Sequence, residues 1–409
     1  MNRAPRPPLW RTLLLAVVVA YALADVLLAA AEMDGASADF FPQWVLAHLT
    51  ATGRRADAYD FTTQAAFIKS LSMPPHWAEL LKLSHIKDIG VCPYPPTFAL
   101  LYAPLGRLSF EQSAMVLYFA SVGMALIAAG TIGRSVAGRV SSLMAAFAIL
   151  YYPGFRDTLH LGQNSLLTLT LWALGWRELV RRRDLAAGLW WGLLAYKFQW
   201  LLAVGWIPLV IGRFRILLGV TISTGILASV ATALFGPAVW GRWLSQVAAL
   251  DHVYVYDPAF RENLLFLGCD LRSVSLRYFG SPEFGRIAGW AAIIMVAVAT
   301  SIWYRRRPGA DPASPEGPGL LFASGLTVAH LYYYDETAFL LPLLVLWSHR
   351  SILTWSQIVI LTGLTAGYYA ADPALAIWGG PSVGPPLWTL AVVALWIFSL
   401  TARTEGSRT

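Results

Sequence analysis

A chain of 409 residues that is 57% apolar and only 13% charged has too little polar surface to face water on all sides, so lipid is its solvent. The formal charge of +7 does not mark a nucleic-acid binder, because the basic residues sit in short knots between apolar runs. Only helix bundles and closed barrels span a bilayer, and continuous apolar runs such as 13–31 suit helices, not the period-two alternation of a barrel. The expected fold class is all-α: a polytopic transmembrane helix bundle of about 10–12 passes, forming a single domain over 1–409.

The basic knots set the topology. Arg134 and Arg139, Arg181 to Arg183, Arg213 and Arg215, Arg305 to Arg307, Arg350, and Arg403 with Arg408 fall at alternate loops, as cytoplasmic turns require. The N-terminus is then cytoplasmic. The first pass, 11–31, follows Arg3, Arg6 and Arg11 and reads as an uncleaved helix, with a cleaved signal peptide as the alternative. Later passes are expected at 112–133, 140–155, 163–180, 186–197, 198–212, 216–235, 285–304, 318–334, 336–348, 351–371 and 386–402. The runs 186–197 and 336–348 fall short of the ~20 residues a perpendicular helix needs, which predicts broken helices around an intramembrane site.

Two long loops lie outside, about 32–107 and about 236–283. Amphipathic stretches at 42–49, 64–71, 76–83 and 238–250 suit helices lying in the interface, with Trp240 and Trp243 at headgroup depth. Cys92 and Cys269 both fall in these loops, where either a disulfide between them or two small apolar side chains would fit.

Ionisable residues near membrane depth are costly and therefore functional candidates. Asp39 leads into Phe40, Phe41, Pro42, Gln43 and Trp44 just past the first pass. It can take a proton from an acceptor hydroxyl or cap the helix that follows, and residue chemistry favours neither. Asp25, within the first pass, reads as a pairing residue. Tyr94, Pro95, Pro96, Thr97 and Phe98 read as an architectural lead-in to a helix. Gln163 and Asn164 turn a hairpin beside Arg156, Asp157 and His160; their amides either bind sugar hydroxyls or cap the next helix. Tyr196 and Lys197 turn a short hairpin on the outer side, where a lysine is out of place unless it meets an anion such as a lipid phosphate or snorkels to headgroups. His330, Tyr332, Tyr333, Tyr334, Asp335 and Glu336 turn another, as a site or an aromatic belt. Arg261, beside Glu262 and Asn263, and Arg272 or Arg277 are candidate phosphate contacts or plain surface arginines.

The sequence has no Gly-rich phosphate loop, no Cys/His metal spacing and no nucleophile elbow, so cytosolic nucleotide chemistry is unsupported. In chain order, Ala38, Asp39 and Phe40, then Ala58, Tyr59 and Asp60, the Tyr94 to Phe98 run, Leu161 to Asn164, Ala187 to Leu189, Ala195 to Lys197 with Gln199, and Tyr334 and Asp335 before Leu340 to Pro342 resemble the motifs of glycosyltransferase family 87. These are GT-C-type membrane enzymes that take sugar from a polyprenyl phosphate. The resemblance spans most of the chain and implies a hexosyltransferase, by commonest association an alpha-mannosyltransferase. Asp39 alone matches the acidic residue taken as catalytic base.

On that basis Lys197, Arg261 and Arg272 are expected at the donor phosphate, and His160, Gln163, Asn164, Tyr196, His330, Tyr334 and Asp335 at the substrate. The family usually carries proline where this chain has Phe198, and 72–88 reads as an insertion. The implied partners are a polyprenyl-phosphate sugar donor, a glycolipid or glycan acceptor and the bilayer, without nucleic acid. No cofactor is implied and a divalent metal is optional. The implied place is the inner or plasma membrane, with the site on the periplasmic or extracellular side. Direct displacement would invert the anomeric centre. A transporter or flippase of lipid-linked sugars, and a lipid-linked glycan polymerase or ligase, are the competing readings.

Overall fold

The computed structural model describes residues 39–55, 57–71, 92–136, 140–258, 261, 265, 267–307, 310–377 and 384–402. The expected first pass at 11–31, Asp25, the interfacial stretch 76–83, the insertion 72–88, Glu262 and Asn263 lie outside them. Helices α1 (Phe40–Ala51) and α2 (Phe61–Ser70) belong to the first loop, and α3 (Pro96–Tyr102) starts at the proline pair. Asp60 caps α2 by accepting from the backbone of Thr62 and Thr63. Next comes α4 (Phe110–Ser135), started by a capping box between Ser109 and Gln112.

The expected pass 140–155 is broken. A short α5 (Ser142–Leu150) ends before Pro153 restarts the chain as α6 (Pro153–Leu161), because proline suits a first turn and not a helix interior. Gly162, at φ 66°, closes α6 in the left-handed conformation that glycine takes without strain, and α7 (Ser165–Val180) follows directly. The expected short passes are each a nine-residue helix joined to a 3-10 turn: α8 (Asp184–Gly192) with Leu193–Tyr196, and Tyr333–Phe339 with a later helix described below. The pass 198–212 splits into α9 (Phe198–Gly205) and α10 (Ile207–Ile211), with Pro208 at the restart.

The second half comprises α11 (Arg215–Phe235), α12 (Ala238–Tyr256), α13 (Leu271–Tyr278), α14 (Pro282–Arg305), α15 (Gly317–Leu326), α16 (Leu340–Ser348), α17 (Trp355–Ile377) and α18 (Gly384–Thr401). Among the described residues three helices, α4, α11 and α14, are long and apolar enough to cross a membrane. They expose rows of large apolar side chains, such as Met115, Phe119 and Leu126 on α4 and Ile287, Ile294 and Met295 on α14. Such rows would be liabilities in water and are ordinary against lipid. By contrast α15 is buried along its whole length and α16 nearly so; these form the interior.

Helix α7 connects two unlike ends. At its start Ser165 Oγ donates to Asp335 Oδ1 at 2.8 Å. Near its finish Glu178, almost fully buried, meets Arg177 at 2.7 Å and Arg183 at 3.6 Å. Arg182 pairs with Asp311 and Arg213 with Asp184 at that same basic end. Sixteen residues at the helical rise put these ends about 24 Å apart.

In the outer loops Trp243 is buried within the protein, donating to the Pro93 carbonyl at 2.9 Å and packing edge-on to Phe198. Its partners come from the first loop and the Lys197 hairpin. Cys92 and Cys269 are both free and buried, Cys92 beside Gln64 and Cys269 against Glu336, so the disulfide reading is set aside.

Candidate active site

Asp39 occupies the N-cap position of α1, yet its side chain makes no cap bond. Its carboxylate instead accepts from Gln163 Nε2 at 2.9 Å, a residue 124 positions away. The side chain is therefore turned toward Gln163 and does not cap the helix. Helix α1 is held for this by His48, whose Nδ1 lies 2.9 Å from the Gly106 carbonyl, and by Trp44 Nε1, which donates to Leu108 O at 3.2 Å. Gly106 is required there, since a Cβ would run into the Ala47 backbone. Burial pushes the Asp39 carboxyl above the usual carboxylate range, and the Gln163 amide, which favours the ionised form, works against that rise. The carboxylate is within electrostatic reach of the Tyr254, Tyr332 and Tyr334 phenols.

Gln163 is set by the Gly162 turn, its backbone N–H donating to Thr158 O at 2.9 Å. Its side-chain carbonyl receives the Tyr94 hydroxyl at 3.4 Å. Tyr94, read from sequence as part of an architectural lead-in, therefore joins the site. The signal lay in the prolines after it, which fix its approach: Pro95 is extended, and α3 begins at Pro96. Tyr59 OH donates to the Tyr94 carbonyl at 3.3 Å, which gives the first-loop tyrosine a supporting place. Asn164 does not cap α7. Both polar atoms of its amide are buried short of a hydrogen bond among the described residues, close to the Tyr94 hydroxyl.

Lys197 and Asp335 form a buried ion pair, with Ser165 donating to the same carboxylate oxygen. The ammonium also lies 6.0 Å from the centre of the Tyr334 ring. Tyr196 points its hydroxyl at Thr168 Oγ1, 2.5 Å away, and at the Asn164 carbonyl, 3.2 Å away. It braces the Gln163 turn from behind. Thr97 Oγ1 donates to Ala195 O at 2.7 Å, tying the Tyr94 segment to the lysine hairpin.

His330 lies between rings, 4.6 Å from Tyr332 and 6.0 Å from Tyr254, within electrostatic reach of both Lys197 with Asp335 and Arg272 with Asp270. Arg272 is largely buried; it pairs with Asp251 at 2.7 Å, donates to Ala329 O at 3.2 Å and stacks over Trp290. Two predicted residues have described contacts of another kind. His160 meets Arg156 Nε at 3.3 Å on an exposed face, and Arg261, half-buried, is described by its backbone bond to Asp257 O at 2.8 Å.

An all-α bundle with apolar helix faces exposed, around a buried cluster of carboxylate, amide and phenol side chains with Lys197, defines a polytopic membrane protein with an internal polar site. The chain belongs to glycosyltransferase family 87, whose family model matches residues 93–329. It is accordingly a membrane glycosyltransferase, handling a sugar donor and an acceptor. The matched stretch includes Tyr94, Gln163, Lys197 and Arg272, and leaves Asp39, His330 and Asp335 outside it. No curated protein and no solved structure matched the chain.

Proposed function

We propose that this glycosyltransferase moves a hexose, mannose first, from a polyprenyl-phosphate sugar to a glycolipid or glycan acceptor on the non-cytoplasmic face of the plasma membrane. The observation that carries the reading is the carboxylate of Asp39, free of helix capping and held by Gln163 within electrostatic reach of the Tyr254, Tyr332 and Tyr334 phenols. An acceptor hydroxyl placed there gives its proton to Asp39 as its oxygen attacks the anomeric carbon, with inversion. The bond to the phosphate breaks as the new bond forms, and the phosphate leaves with its charge met by Lys197, shared with Asp335, and by Arg272. Both cations are already in ion pairs, so the phosphate joins a set of charges held in place. Asn164, Gln163 and Tyr94 are suited to the hydroxyls of the sugar. A divalent metal is optional in this scheme.

The test is to incubate membranes carrying the full chain with radiolabelled polyprenyl-phosphate mannose and follow the label. Transfer to glycolipid or glycan is expected, and Asp39→Asn should abolish it while donor binding survives. Wild-type transfer by Asp39→Asn would overturn the assignment of the base. A protein that transfers nothing from mannose, glucose or arabinose donors would overturn the donor class.

A further inference from the structure

Next to Asp335 in the 3-10 turn Tyr333–Phe339 is a second carboxylate that the transfer scheme does not use. Glu336 is 3% exposed. Tyr152 OH donates to its Oε2 at 2.7 Å and Cys269 Sγ donates to its Oε1 at 2.9 Å, while Tyr368 OH donates to its backbone carbonyl at 3.0 Å. These partners are 184, 67 and 32 residues away in the chain. One side chain and its carbonyl therefore gather three distant segments at the turn.

Each segment leads to a part of the site. Tyr152 precedes α6, whose C-terminal turn presents Gln163 to Asp39. Cys269 lies just before α13, which carries Arg272; its N–H donates to Leu331 O at 2.8 Å and its carbonyl receives Thr389 Oγ1 at 2.7 Å. The turn itself carries Asp335, the partner of Lys197. Close packing adds to the grip: Gly154 on α6 leaves no room for a Cβ against Thr337 Oγ1, and Thr158 Oγ1 reaches Tyr334 O at 3.3 Å.

Burying a carboxylate between a phenol and a thiol is a costly way to fill space, and apolar side chains of similar volume would serve stability as well or better. What the carboxylate adds is direction, because two fixed oxygens accept two fixed donors. We infer that Glu336 is the positioning residue of this site: by gripping Tyr152 and Cys269 it sets the Lys197–Asp335 pair in register with Asp39 and Gln163 on one side and Arg272 on the other. The inference rests on the transfer reading above for its consequence in turnover, though not for its consequence in structure.

Two measurements on the full chain in detergent test it, using Glu336→Gln, which keeps the shape and removes one acceptor oxygen. Hydrogen exchange needs no substrate: residues 333–339 should exchange ~10-fold faster or more while α4 and α11 keep wild-type protection. In transfer from polyprenyl-phosphate mannose, kcat of the folded fraction should fall ~10-fold or more with the donor KM within ~3-fold, as misplacement of a reacting pair predicts. Cys269→Val should lose more turnover than Cys269→Ser, which retains a donor. Unchanged exchange in 333–339, or a folded Glu336→Gln turning over at the wild-type rate, overturns the inference. Loss of folded protein at unchanged specific activity overturns it as well. A wild type inactive with every such donor would refute the proposed donor instead, and the exchange result would still decide on Glu336.

Discussion

Asp335 is buried and Asp39 half-buried, and what each can do follows from what meets it. Asp335 is met by an ammonium and a hydroxyl, which hold it in a buried ion pair. Asp39 is met by a neutral amide, which steadies it without claiming its proton affinity. Replacing Asp39 by Asn should lower kcat by ~100-fold or more, the scale of a lost general base, at nearly unchanged donor affinity. The pH dependence has a definite sign. The base must be ionised, and burial raises its pKa, so turnover climbs with pH along an acid limb lying above the ordinary carboxylate range. Gln163→Leu removes a bond that favours the ionised form and should move that limb to still higher pH in a kcat/KM profile; a shift to lower pH would refute the coupling. Lys197→Met strands the Asp335 carboxylate in the interior, a loss of about 3–5 kcal/mol by thermal or denaturant unfolding. Adding Asp335→Asn should recover much of the stability and none of the transfer, which separates the fold role of the pair from its catalytic one.

At the scale of elements, the lysine hairpin is aimed by a helix crossing made of glycines. A Cβ on Gly188 of α8 would strike the Ile216 carbonyl of α11, and one on Gly219 would strike Leu185 O. Ser223 Oγ donates to Leu189 O at 2.8 Å along the same seam. Backbones this close set the direction of α8, hence of Leu193–Tyr196 and Lys197 beyond it. Gly188→Ala should destabilise by about 1–3 kcal/mol and cut turnover, whereas Gly225→Ala on α11, with nothing within 4 Å of the added carbon, should be neutral or slightly stabilising. Much at this scale was legible in sequence: the apolar runs and the short passes map onto helices, while the breaks of 140–155 and 198–212 at Pro153 and Pro208 were not foreseen. Which side chains meet across the bundle was not. The partners Asp39 and Gln163, or Tyr152 and Glu336, are over a hundred residues apart, and an aspartate before a helix looks the same whether it caps or turns inward. The Tyr94 segment is the lead-in its prolines advertise, and its hydroxyl contact with Gln163 was hidden for the same reason.

For the molecule as a whole, the two ends of the bundle differ in charge and in chemistry. Helix α4 begins at Phe110, packed on Phe40 and Phe41 beside Asp39, and its 26 residues carry the chain about 39 Å to Arg134. Thr170 Oγ1 of α7 donates to Met124 O in the middle of α4 at 2.9 Å, so the two helices share one course from the site to the basic end. The knots at Arg181 to Arg183, Arg213 and Arg307 gather at that far end with Asp184, Asp311 and Glu316. Cytoplasmic loops carry the arginine excess in bilayer proteins, and on that ground we propose that the site faces outside. A membrane-impermeant maleimide tests this directly, because the native thiols of Cys92 and Cys269 are buried and should contribute little background. Arg55→Cys, exposed in the first loop, should label in intact cells or spheroplasts, and Arg134→Cys, exposed at the end of α4, only after permeabilisation. The reverse pattern would put Asp39 in the cytoplasm, where the donor phosphate would have to be presented from the inner leaflet and the outward transfer proposed here would fail.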